Sequence, residues 1–436
     1  MNARKAIWMA VALPSLCWGQ AAPTATAPRP AFAGINFPAI NGNFQYGLSA
    51  SEIIQSGYTN NGGLNEATNI SGDLAYTTKS EVRPLSLLYT GGVQFGNQAG
   101  YGTTSYQSLG ITQSYVTRSW IFGVSDVISY LPQSPTVGLS GIPGTGDIGL
   151  DPVQNGLQPS QGILTINNNR VSNTASGNVQ RQLDAFTSIS GGASYGILHF
   201  FGAGGLDSSQ ISADVAINRR IDARSSASLA ATYGTYDYSN LGTGASFATR
   251  GLSASYKRQL SRALTASVSG GPEWISSSST LAIPSQLTYT ASVSLGYTIR
   301  QYNAQIGYIR GITGGAGVQP GGISDSLIGS LQRPFGNVWS VGANIGYSRT
   351  QGLSNVATPT NLALLGLTTT GNYNSVFAGA QVSRRLSRSF SAFGSYTAIN
   401  QSYSQVQVSP VALNGIVQSF ALGISYFPRS LHLGQL

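Results

Sequence analysis

The sequence predicts an all-β fold, a transmembrane antiparallel up-and-down β-barrel of about 18 strands, with 16 strands as the alternative. The clearest evidence is the segment 211–233, in which two stretches with apolar residues at every second position flank a short basic turn, Arg219 to Arg224. Because successive side chains of a strand point to opposite faces, each stretch has one apolar face and one face of small residues. The segment therefore predicts a β-hairpin.

Copies of this hairpin fill most of the chain, and two kinds of connection alternate between them. One kind is short and basic, and its sequence recurs at 181–184, 220–222, 258–261, 333–336 and 385–388. The other kind is longer and rich in Gly, Ser, Asn and Pro, as at 276–285 and 351–370. The repeat of about 40 residues predicts a meander with short turns at one rim and long loops at the other.

The composition supports a protein with lipid on one face and water on the other. Charged residues make up only 8% of the chain, whereas soluble domains carry about 25%. The 22 Tyr and 15 Phe argue against a disordered chain, which leaves a Gly-rich β-solenoid as the alternative fold. The net charge of +9 comes largely from basic residues at hairpin ends, so we expect no nucleic-acid partner.

The order of segments predicts an exported protein. Residues 1–21 have the charged start and short apolar run of a signal peptide, with cleavage before Gln20 or Ala22. Cys17, the only cysteine, would be removed by either cleavage. Residues 22–40 predict a flexible periplasmic tail, residues 41–427 the barrel, and residues 428–436 a C-terminal tail. The Pro- and Gly-rich segment 131–169 interrupts the alternation and is expected to form a lid or a constriction of the lumen.

Aromatic residues fall near the predicted strand ends, where the interfacial girdles of membrane barrels lie. With the leader, the alternating strands, the short basic turns and the long opposite loops, these residues resemble the porin-like β-barrels of Gram-negative outer membranes. The resemblance implies short turns in the periplasm, long loops outside the cell, and recognition by the barrel assembly machinery. The sequence departs from the pattern at its end, because Pro428 to Leu436 follow the aromatic Phe427.

The predicted polar rows suggest a function. They consist mainly of Ser, Thr, Asn, Gln and Gly, and the expected lumen-facing acids are Asp73, Asp214 and Glu273. Small side chains cannot fill the interior of an 18-stranded barrel, so we expect a water-filled diffusion channel for small hydrophilic solutes. Asp147 and Asp151 are candidate residues of the long loop. The alternatives are a barrel that exports polysaccharide with periplasmic partners and a surface-binding or structural barrel.

Three arginines at the long-loop rim predict a contact with lipid. Arg250, Arg310 and Arg349 extend apolar rows and are expected to face outward, toward the phosphates of lipopolysaccharide; solvated rim charges are the alternative. Asp126 lies in a row that should meet lipid, unless a bulge turns it inward. The sequence leaves open whether the barrel is single or forms a homo-oligomer.

Sequence evidence for an enzyme is weak. A Ser–His–acid site needs a histidine as base, and His199 is the one plausible candidate, with no acid placed beside it by any sequence signal. Two distant histidines and no cysteine in the mature chain argue against a zinc site. We therefore expect no enzyme activity, metal or cofactor, and a barrel-embedded hydrolase using His199 remains the alternative.

Overall fold

The computed structural model describes residues 44–57, 64–78, 80, 82–96, 103–131, 169–201, 206–241, 244–278, 281, 283–299, 302–314, 320–336, 338–353, 372–403 and 415–428. The predicted leader, the periplasmic tail and the candidate residues Asp147 and Asp151 lie outside the described residues. Almost all of the predicted 131–169 loop and of the C-terminal tail lies outside them as well. No helix among the described residues is long and apolar enough to cross a membrane.

The described part of the chain forms 18 β-strands. In chain order they are β1 Phe44–Ser56, β2 Asn65–Thr77, β3 Leu85–Gly96, β4 Thr104–Val116, β5 Trp120–Leu131, β6 Arg170–Gln182, β7 Thr187–Phe200, β8 Ser208–Arg220, β9 Ser225–Tyr238, β10 Ser246–Gln259, β11 Leu264–Ser277, β12 Gln286–Ile299, β13 Tyr302–Thr313, β14 Gly322–Phe335, β15 Trp339–Gly352, β16 Asn372–Arg385, β17 Phe390–Tyr403 and β18 Gly415–Tyr426. A 3-10 turn, Ser239–Leu241, follows β9.

The strands form one closed antiparallel sheet. Each strand pairs with the next in sequence, and β1 closes the barrel by pairing with β18, with Ser49 opposite Ser425. The predicted fold class and the count of 18 strands are confirmed, and the alternative of 16 is excluded. Closure matters physically, because an unpaired backbone group in hydrocarbon costs several kcal/mol.

The period-2 pattern separates an outer apolar surface from an inner polar wall. On β8 and β9 the outward residues Val215 and Leu229 are 59% and 60% exposed. Their neighbours Asp214 and Ser228 lie in the opposite, inward row. Exposed apolar rows of this kind recur around the barrel, as in β15 and β18. An apolar outer surface with a polar interior is the arrangement expected for a barrel surrounded by lipid.

Serine pairs line much of the inner wall. Their hydroxyl oxygens lie 2.5 to 3.0 Å apart across neighbouring strands, in the pairs Ser49–Ser71, Ser108–Ser129, Ser125–Ser176, Ser194–Ser212, Ser228–Ser255, Ser267–Ser294, Ser269–Ser292 and Ser340–Ser383. Each pair gives a small hydroxyl a partner without adding charge. The result is a polar but largely neutral interior surface.

The short turns share one hydrogen-bonding scheme, which explains why their sequences recur. Asp184 and Asp222 each accept a backbone N–H from two residues further along the chain, at Phe186 and Arg224. Ser261 and Ser387 occupy the same place in their turns and accept in the same way. These are Asx and Ser/Thr turns, in which a short polar side chain replaces a backbone partner. The recurring Asp or Ser is therefore a requirement of the turn.

The Asp222 turn predicts a specific pH dependence. The backbone N–H of Arg224 holds the pKa of Asp222 below the usual value of an aspartate, so the folded state favours the carboxylate. Its contribution to stability is complete above the unfolded pKa and is lost as the pH falls through the lower folded pKa. We expect Asp222→Ser, which copies the Ser261 turn, to reduce the difference in unfolding free energy between pH 7 and pH 2. Urea unfolding in detergent measures this, and an unchanged difference would contradict it.

A collar of stacked arginines and aromatic rings surrounds the short-turn rim. Guanidinium carbons lie 4.6 to 5.3 Å from ring centroids in the pairs Arg83–Tyr115, Arg181–Trp120, Arg220–Phe186, Arg333–Phe335 and Arg384–Trp339. Cation–π stacking at this separation is favourable, most of all where water is partly excluded. The basic turns thus hold their charges against the aromatic girdle of this interface.

Candidate functional site

The inner wall carries few charged side chains among the described residues. Asp73, Asp214 and Glu273 all lie in inward rows, and Lys257, which the sequence analysis did not single out, does so too. Asp73 accepts a hydrogen bond of 2.9 Å from the Thr90 hydroxyl, and its Oδ2 is buried without a partner in the described structure. Asp73 lies on β2, nine strands from Glu273 on β11, so the two acids occupy opposite walls of the barrel.

Asp214 and Glu273 belong to a single transverse strip of the inner wall. Strand register places Asp214 opposite Thr232, Thr232 opposite Gly251, and Gly251 opposite Glu273. Three strand spacings of about 4.8 Å separate the two acids, roughly 14 Å along the wall. The sequence predicted the inward direction of both acids, whereas their common level follows from the register.

The pairing of β10 with β11 is interrupted beside Glu273. Paired residues run from Gly251 opposite Glu273 directly to Ala254 opposite Gly270, across the place occupied by Gly271 and Pro272. Proline has no N–H to donate and is rare inside central strands. A Cβ on Gly271 would overlap the carbonyl oxygen of Leu252, so the close approach of the two strands requires glycine there. The wall is therefore locally irregular next to the carboxylate.

A recess that is open to solvent lies on the inner wall from β8 to β13. Its polar lining comes from Thr232, Thr249, Ser269, Glu273, Thr290 and Ser292. Glu273 accepts a hydrogen bond from Thr249. The recess thus joins several hydroxyl groups to one carboxylate, which is the kind of lining that binds polar solutes.

An apolar cluster packs at the long-loop end of the same wall; we call it the mouth cluster. Its members are all buried, and they are Leu206, Tyr236, Tyr238, Leu241, Ala245, Phe247, Ile275, Leu281, Ile283, Ile312 and Leu353. They come from strand ends and connections between β7 and β16. No sequence pattern predicts this cluster. Its one sequence signal is that the large aromatic residues Tyr236, Tyr238 and Phe247 stand in inward rows that otherwise consist of small polar residues.

The mouth cluster bridges a sector of the barrel. Five strand spacings, about 24 Å along the wall, separate β10 from β15. Nevertheless, a Cβ on Gly321 would lie 2.7 Å from both Phe247 Cε1 and Leu353 Cδ1. Phe247 is near the start of β10, and Leu353 directly follows β15. The Tyr238 hydroxyl donates to the Gly314 carbonyl oxygen at 3.0 Å, and Tyr236 stacks on Phe247 with centroids 4.5 Å apart. Contacts over such a span require the chain to fold inward, so the cluster narrows this side of the mouth.

His199 has an acidic partner that the sequence analysis missed. Its Nδ1 lies 2.7 Å from Asp207 Oδ2, and the other oxygen of Asp207 accepts the Phe200 N–H at 2.9 Å. His199 is in the outward row of β7, and its ring packs edge-on against Phe201. Among the residues that the structure describes, no serine hydroxyl is hydrogen-bonded to His199. The pair supplies two members of a Ser–His–acid site on the outer surface, away from the lumen.

The three rim arginines all lie in outward rows but differ in their surroundings. Arg250 and Arg349 are exposed. The Nη1 atom of Arg310 donates to both oxygens of Asp325 at 2.9 and 2.8 Å, and its guanidinium stacks on Tyr289 at 4.4 Å. The Nη1 donors of Arg310 are thus paired with a carboxylate that balances its charge, whereas no such pair is seen for Arg250 or Arg349 among the described residues.

Asp126 stays in the outward row, so the bulge considered above is wrong. The pairing of β5 with both neighbours is continuous through Asp126, which faces Ile111 on β4 and Ala175 on β6. Its carboxylate accepts a hydrogen bond of 2.7 Å from Asn173 Nδ2, another outward residue. This partner lowers the cost of a carboxylate on the lipid-facing surface.

The pair gives a double-mutant prediction. We expect Asn173→Leu to destabilise the barrel by about 1–3 kcal/mol, because Asp126 then loses its partner at a lipid-facing position. Adding Asp126→Val should restore most of the loss, since no polar group then remains without a partner. Urea unfolding in lipid vesicles measures both free energies. Equal losses in the single and double variants would contradict the assigned role of Asn173.

A closed antiparallel barrel, apolar outside, polar inside and bounded by aromatic residues, is the architecture of porin-like outer-membrane proteins. The chain folds as a closed 18-stranded barrel with this architecture. No model of a protein family matches the chain, and no curated protein matches it.

Solved structures that align with this chain include an outer membrane protein and a siderophore receptor. The outer membrane protein OpdK from Pseudomonas aeruginosa has a TM-score of 0.44 and 9% identity over 88% of this chain and 98% of its own. The siderophore receptor PirA from Acinetobacter baumannii has a TM-score of 0.44 and 7% identity over 90% and 81%. OccAB3 from Acinetobacter baumannii has a TM-score of 0.42 and 8% identity over 88% and 99%. At these identities the class rests on the strand pairing and the two faces of this barrel.

Proposed function

We propose that the protein is a diffusion channel for small hydrophilic solutes. The observation that carries this proposal is the inner wall, whose rows consist of Ser, Thr, Asn and Gly with few charges among the described residues. An 18-stranded barrel encloses more space than such side chains fill, so water occupies the remainder. Neutral hydroxyl and amide groups can replace part of a polar solute's hydration shell without holding it tightly.

The mouth cluster supports a channel with a restricted entrance. Its buried apolar side chains cover one sector of the long-loop rim, and the hydroxyl-lined recess lies on the same sector of the wall. A solute that enters past this sector meets polar groups first on the wall below the cluster. The arrangement favours uncharged and cationic solutes over large or apolar ones.

Reconstitution tests the proposal directly. We expect the purified barrel to give stepwise conductance in planar bilayers and to admit neutral monosaccharides in a liposome-swelling assay. A correctly folded barrel is recognised by its shift in apparent mass on boiling in detergent gels. A folded barrel that neither conducts nor admits monosaccharides would overturn the proposal and favour a polysaccharide-export or surface-binding barrel.

We also propose that Arg250 and Arg349 contact phosphates of lipopolysaccharide. Their exposed guanidinium groups support this, whereas Arg310 supports the rim through its pair with Asp325. We expect Arg250→Gln with Arg349→Gln to weaken lipopolysaccharide binding, and Arg310→Gln to lower stability instead. Arg388→Gln, at the opposite rim, is the matched control. Unchanged binding in the folded double variant would show that the two residues are solvated rim charges.

A further inference from the structure

We propose that the recess around Glu273 binds a small organic cation that carries hydroxyl groups, such as an amino sugar or amino alcohol. The site is defined by Glu273 and by the threonine and serine hydroxyls of the lining. As a step in transport this inference rests on the proposed channel function, whereas the binding itself can be measured independently.

The charges around the recess favour a cation. Glu273 is the acid in the lining, and Asp214 lies further along the same transverse strip. The nearest inward base on these strands, Lys257, lies six residues from Gly251 along β10, roughly 20 Å away at strand spacing. Arg310 contributes to the lining, but its guanidinium is on the outer face and is paired with Asp325. Among the described residues, therefore, no basic side chain in the recess neutralises Glu273.

A second observation is a buried tyrosine hydroxyl near the recess that has no hydrogen-bond partner in the described structure. The Tyr236 side chain is 1% exposed, and its hydroxyl has no hydrogen-bond partner in the described structure. Tyr236 is inward-facing and lies two residues beyond Gly234 of the lining, with which it shares the inward row of β9. A buried hydroxyl without a partner costs free energy unless something binds to it. A polar ligand atom that entered beside Gly234 would supply the missing partner.

The rest of the lining narrows the chemical class. Thr232, Thr290 and Ser292 can donate to and accept from ligand hydroxyls. A metal ion fits less well, since no group of three or more metal-ligating side chains occurs among the described residues. The lining therefore matches a hydroxylated ammonium ion.

Three probes of one shape test the proposal, namely glucosamine, glucose and glucuronate at pH 6. The full-length barrel is titrated in detergent by calorimetry. We expect glucosamine to bind at least ten-fold more tightly than glucose or glucuronate. We expect Glu273→Gln to remove this preference, and Glu66→Gln, which removes the same charge from the outer surface, to keep it. No preference in the wild type, or the same preference in folded Glu273→Gln, would overturn the proposal.

Two further measurements distinguish a failure of the proposed binding site from a failure of the proposed channel function. If Glu273→Gln does not fold, Tyr236→Phe replaces it; loss of its hydroxyl should weaken glucosamine binding at least three-fold, and unchanged binding would refute the site. Conductance is recorded on the same preparations. A barrel that binds glucosamine but does not conduct refutes the channel function and retains the site. A barrel that conducts without the glucosamine preference refutes the site and retains the channel.

Discussion

Ile345→Arg should prevent stable insertion of the barrel into a bilayer. Ile345 is 60% exposed and lies in the outward row of β15, between Ala343 and Tyr347. An arginine on the lipid face near the middle of a barrel costs about 2–4 kcal/mol. A loss of this size is a large fraction of ordinary folding stability. Folding into vesicles, followed by the gel shift on boiling, measures the folded fraction.

Asn344→Arg is the matched control. Asn344 is the adjacent residue in the chain and lies in the inward row, so the new side chain can extend into the aqueous lumen. We expect this variant to insert normally and to alter the ion selectivity of the channel. If both variants inserted equally well, the assignment of outer and inner faces, and with it the membrane location, would be wrong.

Phe247→Ala should open the mouth of the channel. Phe247 is buried in the mouth cluster, stacks on Tyr236 and packs at Gly321 with Leu353. Removing a buried phenylalanine ring costs about 3–5 kcal/mol of packing. Because the cluster joins connections far apart along the wall, we expect this loss to be local to the mouth. Single-channel recordings should show a larger conductance with less frequent closures.

Phe420→Ala separates this effect from a general loss of stability. Phe420 is an outward, exposed residue of β18, and its removal should leave the conductance unchanged. Leu353→Ala, at the β15 end of the mouth cluster, should also increase the conductance, as Phe247→Ala does. A conductance identical to wild type in both mouth variants would show that the mouth cluster does not restrict the channel.

The regular parts of the fold follow directly from the sequence. Alternating residues such as Ile211, Ala213 and Val215 determine which side chains face lipid, and the spacing of the turns determines the number of strands. The inward directions of Asp214 and Glu273 follow from the same alternation. These features depend only on neighbours in the chain, so one sequence is sufficient to derive them.

The side-chain partners could not be derived in this way. Asn173 meets Asp126, Asp325 meets Arg310, and Asp207 meets His199 because particular registers and one connection bring them together. The stagger of a barrel fixes those registers, and hydrophobic alternation tolerates any shift by two residues. The mouth cluster is even harder to derive from the sequence, because its residues come from several connections that share no sequence period.

Pro272 has a consequence for the mechanics of the wall. Where β10 passes Gly271 and Pro272, two neighbouring strands already lack part of their ladder, so separating them there breaks fewer bonds than elsewhere. Deuterium should therefore enter the amide of Leu252, whose polar backbone groups face Gly271 on β11, sooner than that of Ser253, which faces the unbroken ladder to β9. Beside the proposed ligand site, β10 and β11 can therefore separate locally while the other strand pairs of the barrel remain hydrogen-bonded.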